Sequence, residues 1–202
     1  MEHVLETDRV PAVLTFRASG RSRRVDEQPV DVASGLGALA ATIRAVAAGD
    51  QDAFAQLYAE YVRMVHAIVL GRVPHRDVDD LVQDVFLTAY TRVAELRNPA
   101  AFGGWIAAIA RNRATDHLRR SREQVELPED LPGGDPIQAE TFAVLEVIRK
   151  LPEAYRETLL MRLVEGMGGA EIAERSGLTP ASVRVNLHRG MKLLRERLGG
   201  ET

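Results

Sequence analysis

Apolar residues recur at helical spacing over most of this chain, and breaks in that rhythm mark where the helices end. From Leu39 the pattern turns helical, and Gly49 then closes the first segment. Asp50 is placed as an N-cap for a stripe of Phe54, Leu57, Tyr58, Tyr61, Val65, Ile68 and Val69, which stops at Gly71 and Pro74. Val78, Leu81, Val82, Val85, Phe86, Ala89 and Val93 predict a third helix, ended by Asn98-Pro99. Phe102, Trp105, Ile106, Ile109 and Ala110 open a fourth that runs into a group of arginines. Helicity resumes near Ala139 with Phe142, Leu145 and Ile148. After Leu151-Pro152 a further stripe holds Tyr155, Leu159, Leu163 and Val164, and Gly166, Gly168 and Gly169 interrupt it. No useful strand-like alternation, internal repeat or long heptad run is present, so an all-α fold is expected.

Two stretches lack this period. Residues 1–37, with Pro11, Gly20, Pro29 and Gly35, read as a flexible N-terminal extension. Residues 122–139 hold Pro128, Pro132, Gly133, Gly134 and Pro136 and read as a flexible acidic linker. They frame two small helical domains, 38–121 and 140–202, which a length of 202 residues accommodates. Aromatics make up only 5% of the chain, which suits helices packed through Leu, Ile, Val and Ala. The absence of cysteine excludes a disulfide framework, a thiolate nucleophile and a Cys-ligated zinc. The first twenty residues lack a basic start followed by an apolar core, and no stretch approaches the roughly 18 apolar residues of a membrane span. A cytoplasmic protein without membrane insertion is expected.

Charge changes the picture through its distribution. The net value of −3 would disfavour a nucleic-acid binder, yet residues 121–140 hold six carboxylates against Arg122, leaving the remainder at +2. Two basic clusters stand on predicted helices: Arg111, Arg113, Arg119, Arg120 and Arg122, then Arg184, Arg189, Lys192, Arg195 and Arg197.

Residues 170–189 have the grammar of a helix-turn-helix. Ala173 allows a close helix crossing, Gly177 can take positive φ in the turn, and Leu178 is expected to plug the angle. Thr179 suits the N-cap and Pro180 the first helical position. Val183, Leu187, Leu194 and Leu198 then point inward, leaving Ser182, Arg184, Asn186, His188, Arg189 and Lys192 to face a DNA groove. An ordinary helical hairpin with a solvated basic face is the alternative.

The third predicted helix begins with His75 and carries Asp79, Asp80, Gln83 and Asp84. Asp79 and Asp84 project about 140° apart, a poor arrangement for shared metal ligation. A docking face for a basic partner fits better, and neither a metal nor a cofactor is expected.

Taken in order, these blocks resemble an extracytoplasmic-function (group IV) sigma factor of bacterial RNA polymerase. Residues 49–54 resemble the family's opening helix pair, 79–90 its core-polymerase-binding helix, 102–120 its promoter-melting helix, and 151–157 with the helix-turn-helix its sigma-4 domain. The resemblance covers about residues 38 to 198 and implies a sigma-2-like bundle joined to a sigma-4-like domain. It implies core polymerase binding, through clamp and flap regions, with Asp79, Asp80, Leu81, Gln83 and Asp84 on the clamp. It assigns −10 DNA to Glu95, Leu96, Arg97, Asn98, Phe102, Arg111, Asn112, Arg113, Arg119 and Arg120, where Asn112 would hydrogen-bond a base and the arginines would neutralise phosphates. It assigns the −35 duplex to Ser182, Arg184, Asn186, His188, Arg189 and Lys192. Promoter DNA, duplex and single-stranded, and an anti-sigma factor are the further partners implied. Such a protein is not an enzyme, because catalysis belongs to the polymerase.

Gly168-Gly169, Gly103-Gly104 and Val185 depart from the family pattern, so promoter sequence does not transfer from a relative. The rivals are a stand-alone dimeric helix-turn-helix regulator and a hydrolase using Asp and His. For the hydrolase, no nucleophile and base stand at a recognisable spacing.

Overall fold

The computed structural model describes residues 32–123 and 136–199, all of its regular structure helical. Eight helices follow in order: α1 Val32–Ala47, α2 Gln51–Leu70, α3 Val78–Arg92, α4 Phe102–Glu123, α5 Pro136–Arg149, α6 Glu153–Leu163, α7 Gly169–Ser176 and α8 Pro180–Gly199. Single 3-10 turns at His75–Asp77, Val93–Glu95 and Pro99–Ala101 connect α2, α3 and α4. The expected extension lies largely outside the described residues, except that helical structure already begins at Val32. Most of the expected linker also lies outside them, and its frame is tighter than the sequence suggested: α4 continues to Glu123 and α5 starts at Pro136. A proline at the first helical position costs no hydrogen bond, which is why Pro136 starts a helix instead of lengthening the break.

Local chemistry fixes the ends. The Asp50 carboxylate accepts the N–H groups of Asp52 and Ala53 at 2.9 and 3.0 Å, capping α2. The Asn98 side-chain Oδ1 accepts the Ala100 N–H at 3.1 Å and caps the turn that leads into α4.

Helix α2 is the spine. Met64, Val65, Ala67, Ile68 and Val69 are fully buried in near-unbroken sequence, a pattern that a helix with one solvent face cannot produce. The cause is a second layer: α1, α3 and α4 pack on one side of α2, and α6 and α7 close on the other. Met64, Ala67 and Leu70, outside the predicted stripe, are buried as well, whereas Tyr58, inside the stripe, stays exposed. One apolar cluster therefore runs through both helical groups, from Ile43 to Leu194. Each fully buried Leu, Ile or Met contributes about 1.5–3 kcal/mol relative to exposure.

Two glycines set how close the halves come. A Cβ on Gly71 would meet Leu160 Cδ1 at 2.8 Å, and one on Gly103 would overlap the carbonyl oxygen of Arg175. The second half has its own close crossing, because Gly190 of α8 faces Leu159 and Tyr155 of α6 at 3.1–3.2 Å.

Candidate nucleic-acid interface

Helices α7 and α8 form the helix-turn-helix with the predicted local chemistry. Gly177 sits at φ +71°, where a side chain would be strained. Thr179 Oγ1 accepts the Ser182 N–H at 3.1 Å, and Pro180 is the first residue of α8. Ala173, Val183 and Leu194 are buried and Leu187 is half-buried. Leu178 and Leu198 are not inside: both are exposed, and Met167 and Ile172 supply the buried apolar groups of this region. Arg184, His188, Arg189 and Lys192 line the exposed side of α8, with Asn186 and Ser182 half-exposed beside them. Ser182 is engaged at its hydroxyl by Thr179 at 2.8 Å, and Lys192 lies 3.9 Å from Glu196. The face is basic, solvent-open and rigidly capped, as groove or phosphate recognition requires.

Helix α4 offers a second face. Asn112, Arg119 and Arg120 are exposed, and positions 112, 116 and 119 follow one side of the helix. Arg119 and Arg120 lean on Asp116, at its carboxylate and carbonyl respectively. The other expected DNA residues are distributed differently. Arg113 donates to Thr88 Oγ1 of α3 at 2.7 Å, and Arg97 is exposed. Glu95 pairs with Arg92 at 2.8 Å, which holds its carboxyl below the usual range. Leu96 is half-buried, and Asn98 serves as a cap. Phe102 is 2% exposed, edge-on to Tyr61 at 4.8 Å, and its expected role as a base-capturing group gives way to a core role. Its position at the start of α4, aimed at α2, explains this.

The acidic face of α3 forms as expected for Asp79, Asp80, Gln83 and Asp84, all exposed. Leu81 does not join it. It is buried with Val78, Val82 and Val85, because the phase of the helix turns position 81 toward α2 and α4. The apolar member of the face is Leu87, 63% exposed and seven residues after Asp80. Its signal in the sequence was that spacing. His75 lies apart, its ring against Phe142, and no cluster of His, Asp or Glu able to hold a metal occurs among the described residues.

The strongest electrostatic feature was not foreseen, and it lies between the halves. Glu157 of α6 is buried and accepts Arg111 in a two-pronged pair, Nε to Oε1 at 2.9 Å and Nη2 to Oε2 at 2.8 Å. Arg72 reaches the same carboxylate at 2.7 Å and Glu153 at 2.8 Å. Burial alone would push the Glu157 carboxyl up, but the two guanidiniums outweigh it and hold it low. Arg111 is held further in its charged form by the Glu157 hydrogen bond, against the opposing effect of burial. Nearby, Arg63 pairs with Glu171 and donates to the Glu165 carbonyl at 3.1 Å. His66 Nδ1 meets Glu165 at 2.6 Å, and that hydrogen bond raises the imidazole above its ordinary range. Arg149 donates to the carbonyls of Leu70 and Val73, and Arg175 pairs with Glu60 at 2.7 Å while stacking over Tyr61. Burial, with Glu60 adding to it, pushes the Tyr61 hydroxyl up to about 12.

Comparison with known proteins places these faces in context. Residues 57–124 match the family model of Sigma-70 region 2, and residues 141–194 match that of Sigma-70 region 4. The RNA polymerase sigma factor CarQ of Myxococcus xanthus is 30% identical over 160 residues, 75% of this chain and 92% of that protein. The ECF RNA polymerase sigma factor SigW of Bacillus subtilis is 27% identical over 178 residues, 77% of this chain and 94% of that one. The probable RNA polymerase sigma factor RfaY of Xanthomonas campestris pv. campestris is 35% identical over 169 residues, and this chain spans only 42% of its length. Among solved structures, that of CnrH in complex with the cytosolic domain of CnrY matches at 26% identity and a TM-score of 0.55, covering 80% of this chain and 97% of that one.

Proposed function

Because the chain belongs to the extracytoplasmic-function family of RNA polymerase sigma factors, we propose that it directs core polymerase to promoters through three faces. The exposed stripe of α3, with Asp80, Gln83, Asp84 and Leu87, binds the polymerase clamp, where carboxylates and an amide pair with Arg and Lys around an apolar centre. Asn112, with Arg111, Arg113, Arg119 and Arg120, engages opened −10 DNA: the amide can donate to and accept from a base, and the guanidiniums neutralise phosphates. The exposed side of α8 reads the −35 duplex with Arg184, Asn186, His188 and Arg189.

A single observation carries this reading. The chain holds the two sigma regions in order, each presenting an exposed basic helix face, and the first region presents an acidic helix face ahead of its basic one. Catalysis is left to the polymerase. The cytoplasm is the compartment this role requires, and no helix among the described residues is long and apolar enough to cross a membrane. A protein partner that controls the factor belongs to the same reading, since CnrH was solved bound to the cytosolic domain of CnrY.

The test is run-off transcription with purified core polymerase. Promoter-specific transcript should appear only when the chain is added, and Asn112→Ala combined with Arg184→Ala should abolish it. Stimulation that survives the double substitution would remove these site assignments, and failure to bind core would remove the role.

A further inference from the structure

The outward side of α8 is basic at its edges and apolar at its centre. The residues that α8 buries are Val183, Gly190 and Leu194. At about 100° per residue, Val185 lies about 200° round from Val183, almost opposite that buried line. It is 43% exposed, and Ala181, one turn before it, is exposed too. Arg184 flanks this short strip on one side and Arg189 on the other, and His188 and Lys192 continue it toward the C-terminal end.

The polar neighbours do not fill the centre. Asn186 falls about 60° from the buried line and is half-exposed, and the Ser182 hydroxyl is engaged by Thr179 at 2.8 Å. Val185 stands in the second turn of a helix that starts at Pro180, and the N-terminal part of a recognition helix is the part that meets base edges. Positive charge on both flanks suits a polyanion as the occupant. The major groove presents one methyl group, at C5 of thymine, among hydrogen-bond donors and acceptors. Valine cannot answer a donor, so opposite cytosine it would strip water from the N4 amino group without replacing it. Its β-branched side chain keeps one strongly preferred rotamer in a helix, so its methyl groups are fixed in place before binding.

We propose that Val185, backed by Ala181, packs on the C5-methyl of a thymine in the upstream duplex and makes this chain select thymine there. The proposal rests on the assignment of α8 to the −35 duplex made above and adds an apolar reader to its polar set. Val185 is one of the departures from the family pattern, so the preference belongs to this chain's own sequence.

The test uses the full chain bound to core polymerase. A pool of duplexes randomised over the upstream element is selected on this holoenzyme, and each thymine of the preferred sequence is then replaced singly by deoxyuridine, which removes the methyl and keeps the base pair. One replacement should weaken binding about fourfold, as expected for one buried methyl-sized group. Val185→Ala should abolish that penalty and leave the effect of deoxyuridine at the other thymines unchanged. With cytosine at the same position, 5-methylcytosine should bind more tightly than cytosine to the native holoenzyme and equally to Val185→Ala. The variant replaces an exposed residue by the strongest helix former, so α8 keeps its structure, which circular dichroism checks.

Equal binding of thymine and deoxyuridine at every upstream position overturns the proposal, as does a penalty that survives Val185→Ala. Weaker association of Val185→Ala with core polymerase, without dependence on the methyl, overturns it in favour of a protein occupant. In each of these cases the −35 reading stands if Arg184→Ala still weakens binding to the selected duplex. If selection returns no preferred upstream sequence and Arg184→Ala changes nothing, both fall together.

Discussion

A carboxylate that accepts from two guanidiniums inside a protein satisfies three charges at once, and removing it weakens the pairing of the other two. Glu157 is in that position between Arg72, almost fully buried, and Arg111. Replacing it by Gln should cost about 2 kcal/mol of stability, measured by urea denaturation, because the nearly buried Arg72 then keeps only the exposed Glu153 as an ionic partner. Since its folded carboxyl is held low, this stabilisation is complete above about pH 4.5 and is lost as pH falls through the lower folded value. His66 works in the opposite direction. Its imidazole is raised by Glu165, with Asp79 adding a smaller effect, so the pair stabilises fully below pH 6.5 and weakens as pH rises through the higher folded value. The stability difference between the native chain and His66→Gln should be about 1 kcal/mol at pH 6 and vanish by pH 9. A difference that grew with pH would refute the assignment.

At the scale of elements, legibility followed the range of the interactions. Asp50, Gly177, Thr179 and Pro180 act on backbone within a few residues, and the structure has each of them doing what its chemistry implies. Gly177→Ala should therefore lower stability by about 1 kcal/mol, visible as a reduced melting temperature, through strain at positive φ. What depended on which helix meets which was not readable. The burial of Leu81 and the exposure of Leu87 differ only by the phase of α3 against α2 and α4. Gly71, Gly103 and Gly190 punctuate the sequence no differently from turn glycines, yet each marks a close approach. The expected DNA set was legible as chemistry, but Phe102 went to the core and Arg111 to Glu157, because both outcomes are decided by partners far along the chain.

For the molecule as a whole, the fold class and the two helical groups could be read from periodicity, and their mutual packing could not. The clue lay in α2, whose buried apolar positions exceed one stripe, Met64, Ala67 and Leu70 among them, and which packs on α6 and α7 as well as on α1, α3 and α4. On the exposed surface the acids of α3 and the bases of α8 remain separate, so a chain of small net charge can still address partners of opposite sign.

That shared spine has a thermal consequence. Because one apolar cluster threads both groups of helices through α2, heating the closed chain should give a single calorimetric peak, with the enthalpy from its shape equal to the enthalpy from its area. Gly103→Ala should split that peak into two smaller ones, each group melting on its own, and a single undivided peak in that variant would mean that α2 alone couples them. Calorimetric cooperativity thus becomes a gauge of whether the two halves stand together or apart, and it needs neither DNA nor polymerase in the cell.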